Sequence, residues 1–109
     1  IAGLTDFHPD PRQGMPANVD GAVHLGELAA RLPSRRMLHV STAYVAGTAD
    51  GPVAERLVLG RSPSGVRFDP AAVWADLRRI AEADTSAADR TDAAGTLAAS
   101  LGWPNNYTF

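Results

Sequence analysis

Three hydroxyls and one amide are the side chains best suited to act on a substrate oxygen. They are Ser41 and Thr42, which are adjacent, Tyr107, which follows Pro104-Asn105-Asn106, and Asn18, in the run Asn18-Val19-Asp20-Gly21-Ala22. A hydroxyl aimed at a carbonyl can hydrogen-bond the oxyanion that develops there, and a phenol can also give up its proton. A free phenol titrates near ~10, so it needs a neighbouring cation to serve at neutral pH. Each of these residues also has a plain structural reading. Ser41 and Thr42 suit a turn, Tyr107 suits a helix start packed on a core, and Asn18 suits an N-cap. Histidine offers less. His39, between Leu38 and Val40, reads as a hydrogen-bonded strand residue, and His8 and His24 read as surface positions. The three are scattered and cysteine is absent, so no metal-ligand motif is present.

The elements that would position these groups alternate in period. Residues 5–16 are rich in Pro, Gly and Asp and predict an irregular loop. Across residues 17–32 the apolar positions Val19, Ala22, Leu25, Leu28, Ala29 and Leu32 recur at helical spacing and predict an amphipathic helix stopped by Pro33-Ser34. Residues 37–45 form a short, mostly apolar run, as expected of a strand buried on both faces of a parallel sheet. In such sheets ligands sit at the carboxyl ends of strands, which is where Ser41 and Thr42 fall. Glycine and proline then punctuate residues 46–69 into a long surface excursion. Asp69-Pro70 supplies an N-cap with proline at the first helical position, and Trp74, Leu77 and Ile80 make the packing face of the helix that follows. A second, alanine-rich helix is expected over residues 86–100, with Gly102 as its stop and the charged stretch from Asp84 to Asp92 as solvated surface. Pro104 opens a further helix near Asn105.

Composition narrows the function classes. The chain has 109 residues, 45% of them hydrophobic, and a formal charge of −2. That charge provides no basic stripe for nucleic acid or an anionic membrane. No window approaches the ~18–20 continuous apolar residues of a membrane span. The start, Ile1-Ala2-Gly3-Leu4, has neither initiator Met nor signal-peptide pattern and reads as a chain entered midway. The absence of cysteine fits a cytoplasmic protein. All ten basic residues are Arg and none is Lys.

Three patterns occur in a telling order: Asn18-Val19-Asp20-Gly21-Ala22, then His39-Val40-Ser41-Thr42-Ala43-Tyr44-Val45-Ala46-Gly47, then Gly102-Trp103-Pro104-Asn105-Asn106-Tyr107-Thr108-Phe109. Together they resemble the fatty acyl-CoA and thioester reductase (male-sterility-type) branch of the extended short-chain dehydrogenase/reductases. The resemblance covers essentially the whole chain. It departs at Ala22, where the family has threonine.

The resemblance implies an α/β fold, a fragment of a Rossmann-like doubly wound parallel sheet. Residues 1–109 would be a partial NAD(P)-binding domain lacking the N-terminal Gly-rich loop and everything after the tyrosine, with residues 46–103 as a long helical insert. It implies Tyr107 as the catalytic phenol, Thr42 as the substrate-orienting hydroxyl, with Ser41 beside it, and Asn18 as a member of the proton relay. Ala2 and Gly3 would pass beside the cofactor ribose. The implied cofactor is NADPH, with NADH as the alternative, and the implied substrate is an acyl-CoA or carrier-protein thioester reduced to aldehyde or alcohol.

In that family a lysine follows the tyrosine by one helical turn. No lysine exists here, so the chain alone is expected to be inactive. The 65 residues from Thr42 to Tyr107 exceed the interval expected of the alternatives within the superfamily, a sugar-nucleotide epimerase or a hydroxysteroid dehydrogenase. A non-catalytic dinucleotide-binding protein is the alternative from another class. Helices whose apolar faces call for a larger sheet predict that the isolated 109-residue chain is marginally stable or aggregation-prone. A cooperative unfolding transition of that isolated chain would contradict the expectation.

Overall fold

An aspartate followed by proline starts a helix twice in this chain. In the computed structural model, which describes residues 4–56 and 59–105, helix α1 (Pro11–Gly14) begins at the first such pair. The Asp10 carboxylate accepts from the Arg12 backbone N–H at 3.0 Å, and Pro11 occupies a position whose N–H would have no helical partner. The expected loop over residues 5–16 therefore ends at Asp10. The chain continues from α1 through a π-helical stretch (Met15–Asp20) into α2 (Gly21–Arg31). Pro16 lies at the start of the widened stretch. Proline has no N–H to donate, and its ring crowds the carbonyl four residues back, so a widened turn accommodates it better than a regular one. The Gly21 N–H closes the stretch by donating to the Pro16 carbonyl, five residues back. Leu32, which precedes Pro33, is extended and ends α2.

The second Asp-Pro pair starts α3 (Pro70–Glu82), where Asp69 accepts from the Ala71 N–H at 2.9 Å. Helix α4 (Ala87–Ser100) starts with a reciprocal cap, the Ser86 hydroxyl to the Asp89 N–H and the Asp89 carboxylate to the Ser86 N–H. It ends at Gly102, whose φ of +88° allows Gly102 N and Trp103 N to donate to the carbonyls of Ala99 and Ala98. These two helices follow the sequence-based expectation.

The predicted sheet is not formed, and this corrects the Rossmann-like α/β assignment. The regular elements among the described residues are helices, and the one β-type pairing there is a single antiparallel bridge between Arg61 and Arg67. Residues 37–42 carry no regular structure, with Leu38 89% and Val40 79% exposed. A strand buried on both faces needs neighbours to take its N–H and C=O groups, and no second strand lies among the described residues. The exposed His39 is consequently not the strand residue expected. Helix α2 likewise has no buried residue, and its large side chains Val23, Leu25 and Leu28 are exposed.

The core forms where α1 and the π-helical stretch meet α3 and α4. Met15, Leu77, Ala81 and Ala94 are buried, with Val73, Trp74, Ile80 and Leu97 packed against them. Polar bonds fix the same three-way junction. Arg12 donates through Nε to the Ala81 carbonyl and through a terminal nitrogen to that of Ala83, both at 2.8 Å, satisfying carbonyls at the end of α3. Arg78 reaches Asp20 at 2.8 Å and lies over the Trp74 ring. Arg90 of α4 grips the Asp10 carboxylate through Nε at 2.9 Å and Nη2 at 2.5 Å, and it also donates to the Thr85 carbonyl. The charged stretch containing Arg90, expected to be solvated surface, thus has one buried member.

Arg90 holds the Asp10 carboxyl below its ordinary value, chiefly by that hydrogen bond and against a smaller opposing effect of burial. A depressed carboxyl pKa contributes stability that is full above the unfolded value and lost as pH falls through the folded one. The melting temperature of the wild type should therefore fall as pH drops below about 4. Asp10→Asn keeps a capping oxygen but removes the charge paired with the buried Arg90, so it should lower stability at neutral pH and flatten that acid limb. Equal acid limbs in calorimetric melts of the two proteins would exclude the assignment.

Candidate functional site

Thr42 is extended and caps a four-residue 3-10 turn (Ala43–Ala46), its Oγ1 accepting from the Tyr44 N–H at 3.2 Å. The cap uses the oxygen as acceptor, so the hydroxyl proton remains available to a substrate oxygen. Thr42 is half-buried and Ser41 beside it is exposed. Gly47 ends the turn at φ +60°.

The turn is joined to the end of α4 by side chains far apart in sequence. The indole Nε1 of Trp103 donates to the Val45 carbonyl at 3.0 Å, while the backbone N and Oγ1 of Thr48 both donate to the Gly102 carbonyl, at 2.8 and 3.0 Å. The Phe68 ring meets the Trp103 ring edge to face at 5.7 Å. Two of the three sequence motifs, the one containing Thr42 and the one opening on Gly102-Trp103, therefore touch.

Asn18 is not the N-cap that its local sequence suggests, since it lies inside the π-helical stretch. Its amide instead grips the backbone of Leu4, Oδ1 accepting from Leu4 N at 2.8 Å and Nδ2 donating to Leu4 O at 3.1 Å. Phe7 continues from there to Tyr44, ring edge to ring face at 5.3 Å. No hydrogen bond joins Asn18 to Thr42 among the described residues. Ala2, Gly3 and Tyr107 lie outside the described residues. Thr48 was not singled out in the sequence. Its signal was a hydroxyl directly after the glycine that closes the second motif.

The profile of an NAD-binding family described as male sterility protein matches residues 1–109, the whole chain. The chain belongs to the male sterility protein family. No curated protein and no solved structure matches it. Membership in the male sterility family makes it part of a reductase-type, nicotinamide-dinucleotide-binding group.

The described helix starts offer no seat for a dinucleotide pyrophosphate. Such a group would call for an uncapped helix N-terminus, whose N–H groups and dipole favour an anion. Here Asp10, Asp69 and Asp89 place carboxylates at the starts of α1, α3 and α4. The cleft between α1 and α3, lined by Arg12, Met15 and Arg78 among others, holds about 200 Å³, below the ~300–1,000 Å³ of ordinary ligand sites. No described helix is long and apolar enough to cross a membrane.

Replacing Asn18 with Ala should free the Leu4 backbone at a cost of about 0.5–1.5 kcal/mol per hydrogen bond. The measurement is amide hydrogen exchange, in which Leu4 should lose protection while Leu77 keeps it. Unchanged exchange at Leu4 would rule out the grip.

Proposed function

We propose that this chain carries the carbonyl-binding side of an NADPH-dependent reductase that converts a fatty acyl-CoA or carrier-protein thioester to the aldehyde, or to the alcohol after a second reduction. The observation that carries the reading is the Trp103–Val45 hydrogen bond, which ties the segment four residues before Tyr107 to the turn that Thr42 caps. In this reading the Thr42 hydroxyl and the Tyr107 phenol donate to one substrate carbonyl oxygen. Tyr107 then passes its proton to that oxygen as negative charge develops on it. Asn18 belongs to the relay that returns the proton, and Ser41 flanks the carbonyl site. Ala2 and Gly3 run beside the cofactor, whose phosphates find no seat at the described helix ends. The lysine that would lower the phenol pKa has no counterpart among these 109 residues. The reading places the protein in the cytoplasm, with a thioester rather than a nucleic acid as its partner.

The test is NADPH consumption by the full-length protein across a series of acyl-CoA chain lengths. Tyr107→Phe should lower turnover by about 10²–10⁴-fold, the usual contribution of a positioned proton donor. Thr42→Val should lower it by about 10²-fold, as for loss of one oxyanion donor, while Thr42→Ser should keep most of it. Full turnover in Tyr107→Phe would sink the proposal, and a wild type that binds dinucleotide without reducing any thioester would favour a non-catalytic role.

A further inference from the structure

We propose that the hairpin of residues 60–68 carries an anion seat, formed by Arg61 and Arg67, for a phosphate of the arm that delivers the thioester. The proposal rests on the thioester-reductase reading. The two arginines are the partners of the single antiparallel bridge. Ser62 N donates to the Val66 carbonyl at 2.8 Å and Phe68 N to the Gly60 carbonyl at 3.0 Å, so the ladder bonds flank the pair rather than join it. Residues opposite each other in that arrangement have Cα atoms about 4.5 Å apart and side chains on one face. The two arginine side chains leave the hairpin side by side.

Like charges in directly opposite positions repel. Nothing among the described residues relieves that repulsion. All twelve carboxylate side chains lie among them, and the three ion pairs there are made by other arginines. Arg61 commits only its Nε, which donates to the Gly65 carbonyl at 3.2 Å, and the Arg67 side chain bonds no described group. Both residues are exposed. Their forks keep N–H donors for an incoming oxyanion, and a phosphate between them would accept from both while cancelling the repulsion.

The tip of the hairpin holds the pair in place. Gly65 turns it at φ +93°, and the Gly65 N–H donates to the Ser62 carbonyl at 2.9 Å. Ser62 is buried, and its hydroxyl accepts from the Val66 N–H at 3.2 Å and bonds the Ser64 hydroxyl at 2.9 Å. With Nε fastened to the Gly65 carbonyl, the Arg61 guanidinium lies along the tip in a set direction. Less side-chain freedom is then lost when an anion arrives.

The same hairpin is fixed to the Thr42 turn. Phe68 packs edge to face on Trp103, whose indole holds the Val45 carbonyl, and a Cβ on Gly102 would collide with the Ser64 hydroxyl. The arginine pair and the Thr42 hydroxyl therefore belong to one body. That arrangement suits a thioester arm, because in coenzyme A and in a carrier protein the phosphate and the thioester stand at opposite ends of one pantetheine chain. A carbonyl donor and a phosphate seat must then be separate places on one surface. Here paired side-chain charge, rather than an uncapped helix start, supplies the seat.

The experiment uses the full-length protein and compares the wild type with Arg67→Gln and with Arg61→Gln combined with Arg67→Gln. The substrates are an acyl-CoA, the same acyl group on phosphopantetheine, and the same group on pantetheine, which has no phosphate. In the double variant the ratio of kcat/KM on acyl-CoA to that on acyl-pantetheine should fall about 10–100-fold, the usual weight of charge-assisted hydrogen bonds. A parallel fall on acyl-phosphopantetheine assigns the seat to the phosphate that coenzyme A shares with a carrier-protein arm, and a fall on acyl-CoA alone assigns it to the phosphates at the adenosine end. An unchanged ratio would overturn the proposal. So would a raised KM for NADPH with the ratio intact, which would give the seat to the cofactor. Calorimetric titration with CoA reads the seat without turnover, and the double variant should bind about 10–100-fold more weakly. A wild type that reduces no thioester would refute the proposed function instead, and CoA binding alone would then decide the seat, with equal or absent binding in the two proteins refuting it.

Discussion

The buried pair between Asp10 and Arg90 is the constraint on which the rest of the structure depends. Its side chains are only 11% and 7% exposed, and removing two charges from water is costly unless their bonding capacity is filled. Here it is. One carboxylate caps α1 and takes two guanidinium N–H groups, while the remaining arm of Arg90 donates to the Thr85 carbonyl just ahead of α4. Asp10 therefore starts one helix and anchors another. With α1 held in that direction, Arg12 reaches the last carbonyls of α3, Met15 enters the core beside Leu77, and the three helices close on one another.

Helix α4 carries that rigidity to the site. Arg90 and Ala94 belong to the packed junction, and the Gly102 exit of the same element belongs to the contact with the Thr42 turn. At ~1.5 Å per residue its 14 residues form a rod of about 21 Å. The junction and the turn are thus related through one element of fixed length. The two ends use different physics. Apolar burial around a sealed ion pair secures the first, and directional bonds between exposed backbones secure the second.

How much of this could be read from the sequence depended on whether the signal was local. The starts of α3 and α4 were legible because Asp69-Pro70 and Ser86 act on backbone groups two or three residues away, and Gly102 was legible as a stop for the same reason. Asp10-Pro11 carries an identical signal, but it was masked by the surrounding prolines and glycines and by Pro16, which a π-helical turn accommodates. The apolar run at residues 37–45 was legible as hydrophobic and misread as a strand, because pairing depends on neighbours that a local window does not contain. Thr42 was picked out by type and motif, yet its capping of the Tyr44 N–H follows from the turn. The amide of Asn18 had the right chemistry for a cap and found Leu4 instead. Arg90 was unreadable in kind, since its partner lies 80 positions away.

That separation also has a meaning in time. A ribosome adding about 5–20 residues per second releases Asp10 roughly 4–16 s before Arg90. Through that interval the four residues of α1 have no partner to hold them, and a helix so short does not persist in water by itself. The N-terminal segment of the nascent chain therefore waits, its helix start already written in Asp10-Pro11, for an arginine that has not yet been made.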